Sequence, residues 1–158
     1  MKRTPADYLR QAIGLAVKNT DSCCGGPFGA VIVKNGDVIA AGTNLVTSVN
    51  DPTAHAEIVA IRAASKALGT HDLRGCEIYA SCEPCPMCVG AIYWSRLDRL
   101  YFACTRYDAA QAGFDDVLIY EQVPLAPDCR MIRGECMLRE EGREAFTRWL
   151  RNCRKIEY

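Results

Sequence analysis

Two short stretches of the chain carry side chains whose types and spacing can do chemistry together: His55-Ala56-Glu57 and Pro84-Cys85-Pro86-Met87-Cys88. One neutral imidazole with two thiolates is a frequent three-ligand set for Zn²⁺, and leaving the fourth position to water makes such a site catalytic rather than closed and structural. The Cys-x-x-Cys spacing puts both sulfurs on one helical turn. Alone, that pair is a weak signal in a chain with ten cysteines, because it also occurs in redox sites. Joined to His-x-Glu it is much stronger. Two thiolates neutralise the zinc dication, so bound water is acidified only moderately and a positioned carboxylate is needed to take its proton and pass it to a leaving group. Glu57 fits that role. Residues two apart on a regular helix point to different sides, so His55 and Glu57 share a site only if the metal lies off the helix end. Two helix N-termini facing that point would also favour thiolates through their partial positive charge.

Cys82 forms a second Cys-x-x-Cys pair with Cys85 and is an alternative ligand, but it precedes the proline that opens the helix. The remaining cysteines, from Cys23 to Cys153, are scattered among apolar neighbours, where a free thiol packs as a small hydrophobe. His71, the other histidine, reads as a solvated loop residue. Tyr93 and Trp94 end an apolar helix and read as core or as an interface between copies.

The elements that must position these residues follow from periodicity. Residues 4–19 read as a helix with Thr4 as N-cap and Pro5 at its first position. Asn35-Gly36 between FGAVIVK and DVIAAGT is the signal of a tight hairpin. Asp51-Pro52 reads as N-cap and first residue of a helix that begins just before His55 and stops at Gly69. CEIYAS is a strand, MCVGAIYWS a helix, DRLYFACT a strand, and DAAQAGFDD a helix broken at Gly113. CRMIRGECML reads as a last strand, and EEGREAFTRWLRNCRK as an amphipathic helix with Phe146, Trp149 and Leu150 on one face. Strands alternating with helices predict an α/β fold, a three-layer α/β/α sandwich with a central mixed five-stranded sheet. With 158 residues, 49% of them hydrophobic, one domain spanning 1–158 is expected.

Nineteen basic residues balance nineteen acidic ones, which removes the basic footprint of a phosphate-backbone binder, so no nucleic-acid partner is expected. The first residues mix Asp7, Arg10 and Gln11 into apolar positions, and no run approaches the roughly 18–20 apolar residues that span a bilayer. A cytoplasmic protein with reduced thiols and no membrane partner is the expectation.

His-x-Glu with Pro-Cys-x-x-Cys is the signature of zinc-dependent nucleobase deaminases. On these residues the chain resembles the cytidine-deaminase-like superfamily. The stretches GGPFGAVIVKNG, NDPTAHAEIVAIR, SCEPCPMCVGAIYWSR and DAAQAGFDD, with the terminal Glu157-Tyr158, are similar to bacterial guanine deaminases. The resemblance implies hydrolytic deamination of guanine to xanthine and ammonia by zinc-bound hydroxide, with His55, Cys85 and Cys88 as ligands and Glu57 as proton shuttle. It also implies that Asn44 bonds the purine, that Phe28 helps form its pocket, and that Asp116, with Asp115 as the adjacent candidate, recognises guanine and assists departure of ammonia. Tyr158 resembles a residue on a tail, near 154–158, that closes over the site, in a homodimer with exchanged C-terminal segments. A carboxylate independently suits guanine, whose N1 and exocyclic amine are both donors. Alternatives are a deaminase of guanosine or another aminopurine or triazine, a tRNA adenosine deaminase, a cytosine deaminase, and a non-catalytic zinc-binding domain in which Glu57 has no task.

Overall fold

Ala30, Val31, Ile32 and Val33 are consecutive, apolar and all buried, and a strand buried on both faces needs a layer on each side. The computed structural model describes residues 3–114 and 116–158. In it this strand, β1 (Gly29–Lys34), lies between β2 (Asp37–Thr43) and β3 (Cys76–Cys82), antiparallel to both, while β4 (Arg99–Cys104) runs parallel to β3. The sheet order is β2-β1-β3-β4. Alternation sends Ala30 and Ile32 to one face, where they join Ala56, Ala60 and Ala64 of helix α3 (Ala56–Leu68) and Ile92 of a later helix. Val31 and Val33 face the other way, onto Tyr8 of α1 (Pro5–Asp21) and Tyr79. These are the three layers expected from the sequence.

Local chemistry sets the element ends. Thr4 caps α1, its backbone N–H donating to Asp7 Oδ2 at 2.8 Å. Asn35 and Gly36 take φ values of 53° and 88°, as a primed two-residue turn requires. The Tyr8 hydroxyl donates to the Gly36 carbonyl at 2.6 Å, pinning the hairpin tip to α1. Gly42 lets α3 approach closely: a Cβ there would lie 2.3 Å from the Ala56 carbonyl oxygen.

The chain divides into two compact units, Met1–Val117 and Leu118–Tyr158. The first also holds α2 (Val46–Val49), α4 (Pro86–Trp94) and α5 (Arg106–Gln111). Helix α6 (Asp116–Gln122) contains the boundary, and α7 (Arg139–Arg151) is the long helix of the second unit. Neither α2 nor α6 is legible in the sequence, because each is too short to show a period.

Two expectations are corrected. The sheet among the described residues has four strands, not five. The segment expected to form the last strand begins in a 3₁₀ turn at Pro127–Cys129 and is tied to the preceding residues instead of a ladder: the Arg130 side chain donates to the Leu125 and Val123 carbonyls, and Met131 N–H donates to Gln122 Oε1 at 2.6 Å. The helix bearing Glu57 starts at Ala56 rather than Pro52. Asp51 caps only a turn, its carboxylate accepting from the Thr53 N–H at 2.8 Å. Among the described residues no helix is long and apolar enough to cross a membrane.

Candidate active site

Because β1 is antiparallel to β2 and β3, the start of β1 and the ends of β2 and β3 meet at one end of the sheet. Phe28 precedes β1, Asn44 follows β2, and Glu83 and Cys85 follow β3. Helices α3 and α4 both begin there, with His55 and Cys85 as their N-caps in extended conformation. The N-cap position resolves the geometric problem posed by His-x-Glu. His55 leaves the chain before the helix turns, so it can converge with Glu57 in the first turn.

His55 Nδ1 lies 3.6 Å from Cys85 Sγ and 3.5 Å from Cys88 Sγ, and the two sulfurs are 3.6 Å apart. Tetrahedral zinc with bonds of about 2.3 Å to sulfur and about 2.0–2.1 Å to nitrogen spaces its ligand atoms at about 3.8 Å for S···S and about 3.6 Å for N···S. The three groups therefore fit the ion, and they form the cluster of metal-binding side chains found among the described residues. Without a cation the protons are shared unevenly. The Cys88 thiol and the His55 ring hold Cys85 down to about 4, Cys88 is pushed up by its bond to Cys85 and by burial, and His55 is raised chiefly by Cys85. A dication held by these three groups would replace those protons. Cys82 is not part of the triangle; its thiol donates to the Thr105 carbonyl, and burial pushes it up to about 11.

Glu57 is only 6% exposed and its Oε2 accepts from Cys88 Sγ at 3.5 Å. Burial pushes its carboxyl above the usual range, which suits a group that must hold a proton and release it. His55, Glu57 and Cys85 line a cavity of about 320 Å³ together with Phe28, Asn44 and Asp116. Asn44 Oδ1 accepts from the backbone N–H groups of Gly26 and Val46, each at 3.2 Å. That fixes the orientation of the amide and leaves Nδ2 without a protein partner among the described residues.

The structure thus gathers His55, Cys85, Cys88, Glu57, Asn44, Phe28 and Asp116. Asp115 lies outside the described residues. Tyr158 belongs to the second unit. Sequence reasoning missed Glu83 and Phe114, which also line the cavity. Phe114 meets Phe28 edge-on, centroids 4.7 Å apart at 79°; its place inside AGFDD was the available signal. Glu83 stands two residues before Cys85, and its Oε2 accepts from the Arg106 N–H at 3.0 Å, tying the start of α5 to the site.

Residues 2–104 match the family described as the cytidine and deoxycytidylate deaminase zinc-binding region. A guanine deaminase of Bacillus subtilis is 48% identical over 151 residues, 96% of this chain and 97% of that one. The crystal structure of guanine deaminase from Bacillus subtilis superposes with a TM-score of 0.96 at 46% identity, covering 99% of both chains. A tRNA-specific adenosine deaminase of Aquifex aeolicus is 47% identical over only 77 residues, 49% of this chain and 51% of that one. The tRNA enzyme shares half the chain, whereas the likeness to the guanine enzyme runs through both units. With its zinc-fitting triad, the chain belongs to the guanine deaminases within the zinc-dependent cytidine and deoxycytidylate deaminase family.

Proposed function

We propose that the protein converts guanine to xanthine and ammonia by hydrolysis at carbon 2. The observation that carries this reading is that one cavity joins His55 and Cys85 of the metal-binding triad and Glu57 to Asn44, Asp116 and an aromatic pair. Its volume, about 320 Å³, is near the lower end of the roughly 300–1,000 Å³ of small-ligand pockets and suits a free base. Zinc held by His55, Cys85 and Cys88 supplies, when bound, an acidified water as nucleophile near neutral pH. Glu57 takes the proton of the attacking water and gives it to the departing amino group. Asp116 accepts from the N–H donors of guanine, and Asp115 is the neighbouring candidate for the same contact. Asn44 Nδ2 donates to an acceptor on the purine, and Phe28 with Phe114 forms the apolar wall.

Residues 1–158 act as one functional domain, in which Tyr158 and the tail near 154–158 close over the site in a homodimer with exchanged C-terminal segments. Exposure of Met137, Phe146, Leu150 and Ile156 in the single chain supports a partner for the second unit. Ten free cysteines, two of them needed reduced at the metal, support a cytoplasmic setting. Balanced charge supports a small-molecule substrate rather than nucleic acid.

The test is zinc content per chain together with ammonia release from guanine, guanosine, cytosine and adenine, with Glu57→Gln as control. Turnover of guanine alone, abolished in the variant with zinc retained, is expected. Preference for guanosine moves the activity to nucleosides, and zinc without turnover of any of the four sinks the reading.

A further inference from the structure

We infer that Asn19, which does not touch the cavity, is a positioning residue that aims the Asn44 amide at the substrate. The inference rests on the function proposed above. Asn19 lies in the last turn of α1 and is 5% exposed, one of few polar side chains in the interior. Its Nδ2 donates to the Gly26 carbonyl at 2.8 Å and to the Asn44 carbonyl at 2.9 Å. An amide nitrogen has two hydrogens, so both are spent. The two acceptors belong to the two segments that meet around Asn44. Gly26 closes the ring from the other side, its N–H donating to Asn44 Oδ1.

The segments are pressed together more closely than side chains allow: a Cβ at Gly25 would lie 2.1 Å from the Asn44 carbonyl oxygen. Two carbonyl dipoles converging on one point repel unless a donor sits between them, and the burial of Asn19 and Asn44 limits water as a substitute. Asn19 is that donor. With it in place, Asn44 Oδ1 is held by two backbone N–H groups and Nδ2 is presented to the cavity. Without it, the Gly26 segment and the Asn44 segment separate and the amide loses its fixed orientation.

The purine contact made by Asn44 exists before and during the reaction, so losing its aim weakens binding uniformly, raising KM with kcat preserved. For Asn19→Ala, KM for guanine is expected to rise about tenfold with kcat within about threefold of wild type. Zinc content stays unchanged. In an Asn44→Ala background the same substitution adds no further rise in KM. A lowered Tm with unchanged KM, or an equal rise in KM in both backgrounds, overturns the inference. If the alanine variant does not fold, Asn19→Ser, which keeps one donor, is read instead. Its KM must also rise, and an unchanged value overturns the assignment. Nitrogen-15 NMR of the Asn44 side-chain amide is independent of turnover: its resonances shift and broaden in the Asn19 variants, and unmoved resonances refute the positioning role. If the wild type does not deaminate guanine, the proposed function fails by itself, and the amide spectrum still decides whether Asn19 orients Asn44.

Discussion

The first unit has a sealed core, in which Ile32, Leu73, Ile78 and Tyr79 expose no more than 1% of their surface, although Tyr93 and Trp94 at the end of α4 are exposed; in the second, Ile132, Phe146 and Leu150 expose 88%, 72% and 71%. Both regions contain amphipathic helices. The difference is that α1 and α3 each lay an apolar stripe on a sheet that also needs covering, whereas none of the residues of α7 is buried. An amphipathic pattern specifies which face of a helix wants to be covered but not what covers it. Side-chain pairing such as Arg148 with Glu144 supports α7 locally and does nothing for its apolar face.

The comparison can be broken at several points. The largest effect is expected in the first unit at Glu57→Gln, where kcat falls by about 10²–10⁴ as a positioned proton carrier is lost while zinc, measured by elemental analysis, remains. Near-normal turnover would remove the chemistry from that unit. Next comes Ile32→Ala, expected to cost about 2–5 kcal/mol by urea unfolding because it empties a site sealed on both sides. Thr105→Ala removes the cap of α5, whose side chain accepts from the Asp108 N–H, and should cost about 1 kcal/mol. Smallest is Leu150→Ala, within about 0.5 kcal/mol for the single chain. If α7 is covered in a homodimer, sedimentation should show the same substitution weakening association strongly. A loss comparable to Ile32→Ala in dilute single chains would mean that the second unit has a core of its own.

The sequence exposed the site more completely than the fold around it. His55, Glu57, Cys85 and Cys88 were readable because metal chemistry limits both ligand type and spacing, and the structure brings them together. The hairpin was readable from Asn35-Gly36, since a primed turn demands positive φ at both positions. What escaped depends on distant partners. Glu83 carries no local mark of the cavity it lines, Phe114 is marked only by its place inside AGFDD, and Asn19 looks like any helix-terminal asparagine until the Gly26 and Asn44 carbonyls are seen to meet at its nitrogen. The mistaken fifth strand illustrates the same limit. Residues 129–138 are apolar enough for a strand, but the side chains of Arg130 and Gln122 tie the segment to residues 122–125, a pairing that periodicity does not show.

The ligands of the triad come from two helix starts separated by about thirty residues, His55 pairing with Cys85 across 30 positions and with Cys88 across 33. An ion held by them would tie the segment of α3 and β3 between the two ends into a closed ring, as a covalent cross-link would. Ring closure removes freedom from the unfolded chain, and ligand bonds absent from that chain add directly to the stability of the folded one. The catalytic ion then doubles as a clasp. Zinc supply would set how much folded protein persists as well as how fast it turns over, and a chelator would shorten its life before any substrate was met.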